Sequence, residues 1–526
     1  MKKILLLLFC FAMLAASAQQ VPTQFNAAER NQVIDTLIVK LGRLYAFPDS
    51  AKKMTADLQR RRQHDFDTVS DRSTLARLLT ADLQAISKDG HLGVEVSATP
   101  IGDDNPGSPP DSVVNAFKTN WAHFNFLFKK AEFLEGNIGL LQLDCFFPAD
   151  WIKDLAAASM TFLANANAVI IDLRDNHGFA PDGVLLMESY FLKDPVHLSD
   201  GFDHGVLTQT WTLPTVPGPK LADMDLYILV SKNTFSAPES FAYNLQALGR
   251  ARIIGEVTGG GAHGTRPFKI GTWFTADIPT GYGYNVTTHS DWEGKGVQPD
   301  VKVPAGQALL TAQILAIRTI IKRNPKATER IKGLEEVITG LQQQLDSLAY
   351  TAYNRRMTLK QGVIHADTAA GPGVIWANAQ HFKYGTIEFD ICGKDRYQQS
   401  FVGLAFHGLN DTTYEAVYFR PFNFKATDAE RHVHGVQYIA VPGFDWPKLR
   451  ADFHNQYEKT VEPAPGPNDW FHVRLVVSEK NIKVYVNNSP AAALDIAPLA
   501  PLRGDRIGFF VGNGSAGDWK NLKILY

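Results

Sequence analysis

The sequence is poor in cysteine, in net charge and in long apolar runs, and each scarcity excludes something. Three cysteines in 526 residues are too few for a disulfide-stapled scaffold or a cysteine-built metal site. The balance of 52 basic against 54 acidic residues leaves a formal net charge of −2, with no basic field suited to nucleic acid. Beyond the N-terminus no stretch approaches the roughly 20 apolar residues of a membrane-spanning helix. HExxH is absent, as is a close pair of histidines on one helical face, so neither a metal nor a cofactor is expected.

The chain begins with Met1-Lys2-Lys3, an apolar run from Ile4 to about Leu14, and Ala16-Ser17-Ala18 before Gln19. A short cationic start, about ten apolar residues and an A-x-A site describe a secretory signal peptide over residues 1–18. The mature protein is therefore expected to be exported, periplasmic or secreted, with no membrane span. Cys145 and Cys392 remain after cleavage; they fall in different segments and read as two buried free thiols in preference to one bridge.

Residues 19–98 read as a small helical domain. Val33, Leu37, Leu41 and Leu44, then Leu75, Leu78, Leu79 and Leu83, recur at helical spacing. Gly90 is suited to stopping the second run, and a Pro-, Gly- and Asp-rich loop follows over about 99–112. From about 137 short apolar runs, Ile138–Leu143, Ala168–Leu173, Leu226–Val230 and Arg252–Gly255, alternate with helical stretches at 182–193 and 237–249. That alternation predicts βαβ units and a sheet covered on both faces, an α/β core over 99–324. A further helix is expected at 306–323, stopped by Pro325. Ile331, Leu334, Ile338, Leu341, Leu345 and Leu348 then form a short heptad seam in a helical linker, 325–359. This is read as an amphipathic helix packed on its own protein, with oligomerisation through 331–348 as the other possibility. Residues 360–526 show period-two alternation broken by Gly, Asn, Asp and Pro turns, which predicts an antiparallel β-sandwich.

Four stretches hold residues with chemistry to offer. Lys88-Asp89-Gly90-His91 follows a helix. Asp172-Leu173-Arg174-Asp175-Asn176-His177-Gly178-Phe179 ends a buried strand at its carboxyl edge, where α/β proteins place ligands. Ser236-Ala237-Pro238-Glu239 opens a helix and matches the capping-box pattern, so Ser236 reads either as a cap or as a nucleophile at a helix N-terminus. Trp292-Glu293-Gly294-Lys295-Gly296 is a turn carrying one carboxylate.

In this order the four stretches, with Gly249–Glu256 and Thr258-Gly259-Gly260-Gly261-Ala262-His263, resemble the S41 family of serine peptidases. That family includes the C-terminal processing peptidases, the tricorn core and the interphotoreceptor retinoid-binding protein repeats. The resemblance runs over about residues 28–320 and implies a ClpP/crotonase-like core behind the small helical domain. By position it makes Ser236 the nucleophile, His91 the general base of the tricorn-type branch and Glu293 the acid that supports it. Gly178 and Ala237 match the positions whose N–H groups form the oxyanion hole. The processing peptidases use a lysine 25 residues after the serine, but here that position is Gly261, so a Ser–Lys dyad is not expected. His263 is a weaker candidate base, and its Gly-rich context reads as a substrate-binding loop. Tricorn-type sites have a serine before the histidine, linking it to the glutamate. Here that residue is Gly90, so Glu293 must reach His91 directly or through water. The roughly 45 residues between His91 and Ile138 leave no room for a PDZ module, since domains run to about 100 residues.

The resemblance implies hydrolysis of peptide or protein substrates through an acyl-enzyme. The rival reading is a non-catalytic ligand carrier or a surface glycan- or protein-binding protein. The sandwich resembles concanavalin- or laminin-G-like domains, a fold that does not fix function. Trp446, Tyr457 and Trp519 have rings that stack on sugars, but as sandwich core or edge residues they need no ligand, and that reading is preferred.

Overall fold

The computed structural model describes residues 25–62, 64–102, 111–203 and 205–526, so the signal-peptide reading at 1–18 lies outside the described residues. The chain divides between Val337 and Ile338 into two compact units.

The first unit opens with helices α1 (Ala27–Leu44), α2 (Pro48–Arg61) and α3 (Arg72–Ser87). Asn26 and Asp71 cap α1 and α3 by accepting the N–H of Glu29 and Thr74. Pro48 at the first position of α2 sets the break after Tyr45. The α3 stop falls earlier than Gly90, because Lys88 takes the left-handed cap conformation at φ 60°. The spaced leucines do bury, but not on one another alone. Val33, Leu37, Leu41, Leu75, Leu79 and Leu83 share a core with Ile270, Phe274, Ala276 and Ile278. Those four come from β9 (Thr265–Gly271) and β10 (Phe274–Pro279), which form a sheet with β1 (Gly93–Val96) in the order β1-β10-β9. The helical layer therefore recruits strands from far along the chain, and the expected boundary at residue 98 does not separate two cores.

The central sheet contains β2 (Phe128–Leu134), β3 (Ile138–Leu143), β4 (Ala168–Asp172), β7 (Asp225–Val230), β8 (Ala251–Gly255) and β12 (Val301–Lys302), in the order β12-β8-β7-β4-β3-β2. All neighbours run parallel except β2, which pairs antiparallel with β3. Every residue of β4 is buried, as the unbroken apolar run requires. The helix α4 (Asp111–Ala122) starts where the sequence suggested a loop's end. Along the sheet, α5 (Ala149–Leu163), α6 (Pro181–Ser189) and α7 (Ala237–Ala247) connect the strands, and α8 (Ala308–Arg323) packs on β4, β7 and β8. A third sheet, β11-β5-β6, is formed by β5 (His197–Asp203), β6 (Val206–Trp211) and β11 (Gly281–Asn285). The heptad seam lies on α9 (Thr328–Ser347), where Leu334 and Leu341 are buried.

The second unit is two seven-stranded antiparallel sheets. Strands begin at Tyr350, ten residues before the boundary read from composition. The sheet carrying Phe471–Val477 alternates buried and half-buried positions along that strand. The sheet carrying Val402–Asn410 is buried on both faces, because Trp376, Tyr414, Tyr418 and Phe510 form a second cluster with Leu449 of the short helix Trp446–Asp452. Trp519 is wholly buried and its indole N–H donates to the Gly403 carbonyl at 3.0 Å, so it is a core residue. Trp446 is 49% exposed. Cys145 and Cys392 are not bridged to each other, and no described helix is long and apolar enough to cross a membrane.

Candidate active site

Three loops meet at the carboxyl edge of the central sheet, after β4, β7 and β8. They are stapled by short polar side chains. The Thr234 hydroxyl donates to the Leu173 carbonyl at 2.8 Å and the Ser231 hydroxyl to the Arg174 carbonyl at 2.5 Å. The N–H of Phe235 reaches the Asn176 carbonyl at 3.3 Å, and that of Gly259 the Thr234 carbonyl at 2.9 Å. Each such bond occupies a backbone group that a buried loop would otherwise leave unpaired.

Ser236 sits at the tip of the second loop with φ 71° and ψ −119°. A residue that serves only as a helix cap lies in the β region, and a non-glycine residue at positive φ costs on the order of 1–3 kcal/mol. Ser236 and Glu239 complete a capping box across the first turn of α7. Glu239, which is fully buried, holds the turn. Its carboxylate accepts the Ser236 N–H at 2.7 Å, the Gly260 and Gly261 N–H groups at 2.7 and 2.9 Å, and the Thr258 hydroxyl. Burial raises the Glu239 pKa against the pull of these four donors. One carboxylate thus ties the strained serine to the glycine loop, a tie made between α7 and residues that follow β8.

Ala237 occupies the first position of α7, and its N–H has no acceptor among the described residues. Gly178 lies against the same turn: a Cβ there would stand 3.2 Å from Ser236 Cβ and 3.3 Å from the Ala237 nitrogen. Its own N–H, however, donates to Asn176 Oδ1 at 3.0 Å. Of the two expected oxyanion donors, then, only Ala237 is uncommitted in this structure.

His91 packs against Phe235, the neighbour of Ser236, with ring centroids 4.6 Å apart and the planes tilted by 36°. Its Nδ1 is buried without a hydrogen-bond partner, while Nε2 is neither buried nor bonded among the described residues. No hydrogen bond joins it to the Ser236 hydroxyl among the described residues. Burial drives the His91 pKa down from 6.5 to about 4; the charge on Asp89 opposes this and His263 adds to it. Glu293 comes close: one His91 nitrogen, one Asp89 oxygen and one Glu293 oxygen lie within 4.8 Å of one another. Glu293 Oε1 is buried and unpartnered, whereas Oε2 accepts the N–H groups of Ala262 at 2.6 Å and His263 at 3.1 Å. Burial raises its pKa.

Asp89 is a residue that sequence reasoning did not single out. It is 1% exposed. Its Oδ1 accepts the His91 N–H at 3.1 Å. Its Oδ2 accepts the Tyr45 hydroxyl at 3.2 Å and lies 3.0 Å from His263 Nδ1. An aspartate two residues before the candidate histidine was the available signal. Asp89, His91 and Glu293 have donor types found in divalent-cation sites, but three of the four carboxylate oxygens already accept from protein donors. We therefore read the cluster as one that handles protons.

Two family models match this arrangement. Residues 137–303 match peptidase family S41, and residues 16–129 match the N-terminal domain of S41 peptidases in eukaryotic interphotoreceptor retinoid-binding protein. The chain belongs to peptidase family S41. Among curated relatives of this S41 chain is a probable CtpA-like serine protease of Staphylococcus aureus strain N315, 30% identical over 149 residues. That match covers 26% of this chain and only 27% of the relative. Among solved structures, the photosystem II D1 C-terminal processing protease is 13% identical, covering 53% of this chain and 94% of its own, with a TM-score of 0.35. The carbohydrate-binding module CBM66 from Bacillus subtilis is 15% identical over 33% of this chain and 93% of its own, with a TM-score of 0.24.

Proposed function

We propose that this S41 chain is a serine peptidase in which Ser236 attacks the scissile carbonyl and His91 takes its proton. The observation that carries the reading is the backbone of Ser236. A serine held at positive φ on a strand-to-helix turn stores strain that a plain cap, which lies in the β region, does not need. Membership of a peptidase family supports the same assignment. A serine hydroxyl needs a neighbouring base to act as a nucleophile at neutral pH. The open Nε2 of His91 is that base, and its depressed pKa leaves it unprotonated and ready to accept. One His91 nitrogen lies within 4.8 Å of a Glu293 oxygen, a separation that suits a single bridging water in place of the side chain that Gly90 lacks. The Ala237 N–H receives the oxyanion, joined by Gly178 once its amide turns from Asn176. Water, activated by the same histidine, releases the acyl group.

The substrate class is peptide or protein, met outside the cytoplasm if residues 1–18 direct export; N-terminal sequencing of the mature chain beginning at Gln19 tests the latter. The carrier reading has no use for the strain at Ser236. Labelling with a serine-directed fluorophosphonate separates the two: the native protein should react at Ser236, and Ser236→Ala should not. A folded native protein that fails to label, or a Ser236→Ala protein that hydrolyses peptides at the native rate, would overturn the assignment.

A further inference from the structure

Proton transfer through His91 leaves one close charged contact of the site without a task, the pair formed by His263 and Asp89. We propose that His263, as an imidazolium held between Asp89 and Glu293, is a positioning residue that keeps the His91 ring uncharged and in place. This rests on reading His91 as the base.

The geometry supplies the argument. His263 is 6% exposed, with Nδ1 at 3.0 Å from Asp89 Oδ2 and 3.5 Å from Glu293 Oε2. Its ring packs on Phe47, centroid to centroid 4.9 Å. The groups facing it are Asp89 from the turn after α3, Glu293 and Asp291 from the turn after β11, and Tyr45 from the end of α1, which donates to the same Asp89 oxygen. Two carboxylates this close, both largely removed from water, cannot both stay ionised without a cation nearby. Only His263 and His91 can provide one among the residues brought together here. Burial pulls His263 down, but its bond to Asp89 and the charges of Glu293, Asp89 and Asp291 outweigh that, and its pKa is raised. Burial would raise Asp89, yet the bond to His263 leaves it lowered. The pair is therefore ionised, and its positive member opposes protonation of His91. Asp89 also fixes the His91 main chain through Oδ1, so losing the cation would disturb both charge and position.

The assignment separates the two histidines by role. His263 has its Nδ1 committed and its charge in place, so it is unsuited to accept the serine proton. His91 has no committed ring nitrogen and is the one kept neutral.

The test is a histidine-labelled NMR titration of the full chain, run beside the pH dependence of fluorophosphonate labelling. In the native protein at pH 7, His263 should be charged and His91 neutral. In His263→Gln, the His91 midpoint should rise by about one pH unit or more, and the acid limb of labelling should move with it. In Asp89→Asn, the His91 midpoint should not rise. A neutral His263 at pH 7 in the native protein would overturn the proposal even if neither variant folds. So would an unmoved His91 midpoint in folded His263→Gln. A native protein that never labels would sink the peptidase reading alone, because the titration decides the pairing without any turnover.

Discussion

A side chain at Gly261 would place its Cβ 2.5 Å from Cε1 of His91. The same atom would run into the Phe235 ring. By the resemblance, Gly261 stands where the processing peptidases carry their lysine base; a histidine packed against Phe235 and a side chain at 261 exclude each other in space. Gly261→Ala should therefore lower kcat/KM by on the order of a hundredfold by displacing the base. The overpacking should cost about 1–3 kcal/mol of stability. Gly261→Lys should not rescue a His91→Ala protein. Peptide hydrolysis by the purified variants decides this, and near-native activity in Gly261→Ala would remove His91 from the mechanism.

The pH profile follows from the environment of His91. Its sequence alone suggests an ordinary histidine, but burial lowers it to about 4. As a base it must be neutral, so kcat/KM should rise through an apparent pKa near 4 and be flat on the acid side of neutrality. A histidine depressed on folding contributes stability that is lost as pH falls from 6.5 towards 4. His263, raised on folding, contributes stability that is present below 6.5 and lost as pH rises through its folded value. Thermal melts of His91→Gln should show a shallower loss between pH 6.5 and 4 than the native protein, whereas melts of His263→Gln should differ most in that range by losing a stabilising charge. An acid limb centred near 6.5 in the native enzyme would contradict the burial argument.

The sequence made the central sheet legible because buried parallel strands are unbroken apolar runs. Ile138–Leu143 and Ala168–Asp172 fall where the runs do. It also made the carboxyl-edge loops legible, since a strand that ends in Asp172-Leu173-Arg174 or a helix that opens at Ser236 carries a local signal. Pairings between distant segments have no such signal. Nothing in Thr265–Pro279 announces that it completes the core of the N-terminal helices, and nothing in Asp89 announces a partner at position 263. The capping box at Ser236 is present in the structure. Glu239 does hold the Ser236 amide, but the serine's backbone angles, which decide against a plain cap, are invisible in sequence. Gly178 shows the converse limit, a motif position whose amide is already engaged by Asn176.

Glu188 gives a test that leaves the site alone. It is wholly buried on α6, where burial pushes its carboxyl up to about 8 and only Asn244 Nδ2, at 2.9 Å, favours the ionised form. Asn244 in turn accepts from Asn285 at 2.9 Å, so the group links α6, α7 and β11. An acid raised on folding stabilises fully below its unfolded value of 4.5 and loses that contribution as pH rises towards 8. The loss across that window is on the order of 4 kcal/mol. Glu188→Gln keeps the shape and the oxygen but cannot ionise. Its melting temperature should equal or exceed the native value at pH 8 and should fall less between pH 5 and 8. A steeper fall in the variant would show that Glu188 is ionised in the folded protein.

The chain is built as two units. Each has its own apolar core, one around Ile171, Ile228 and Phe241, the other around Phe389, Leu404 and Trp519. All the residues assigned to the chemistry, from Asp89 to Glu293, belong to the first. The chain cut after Asn324, at the C-cap of α8, retains every strand of the central sheet and every loop of the site. It should fold cooperatively and hydrolyse small peptide esters within about twofold of the full-length rate, as an independently cored domain does. On a large or immobilised protein substrate it should be slower if the sandwich tethers the enzyme to its target, because tethering acts through effective concentration and adds no contact at the reacting atoms. Circular dichroism and a melting curve establish folding, and ester and protein hydrolysis are then compared on the same preparation. A truncated protein that melts cooperatively yet leaves small esters untouched would show that the first unit is not sufficient for the chemistry, and the assignment of the whole reaction to residues before 300 would fall with it.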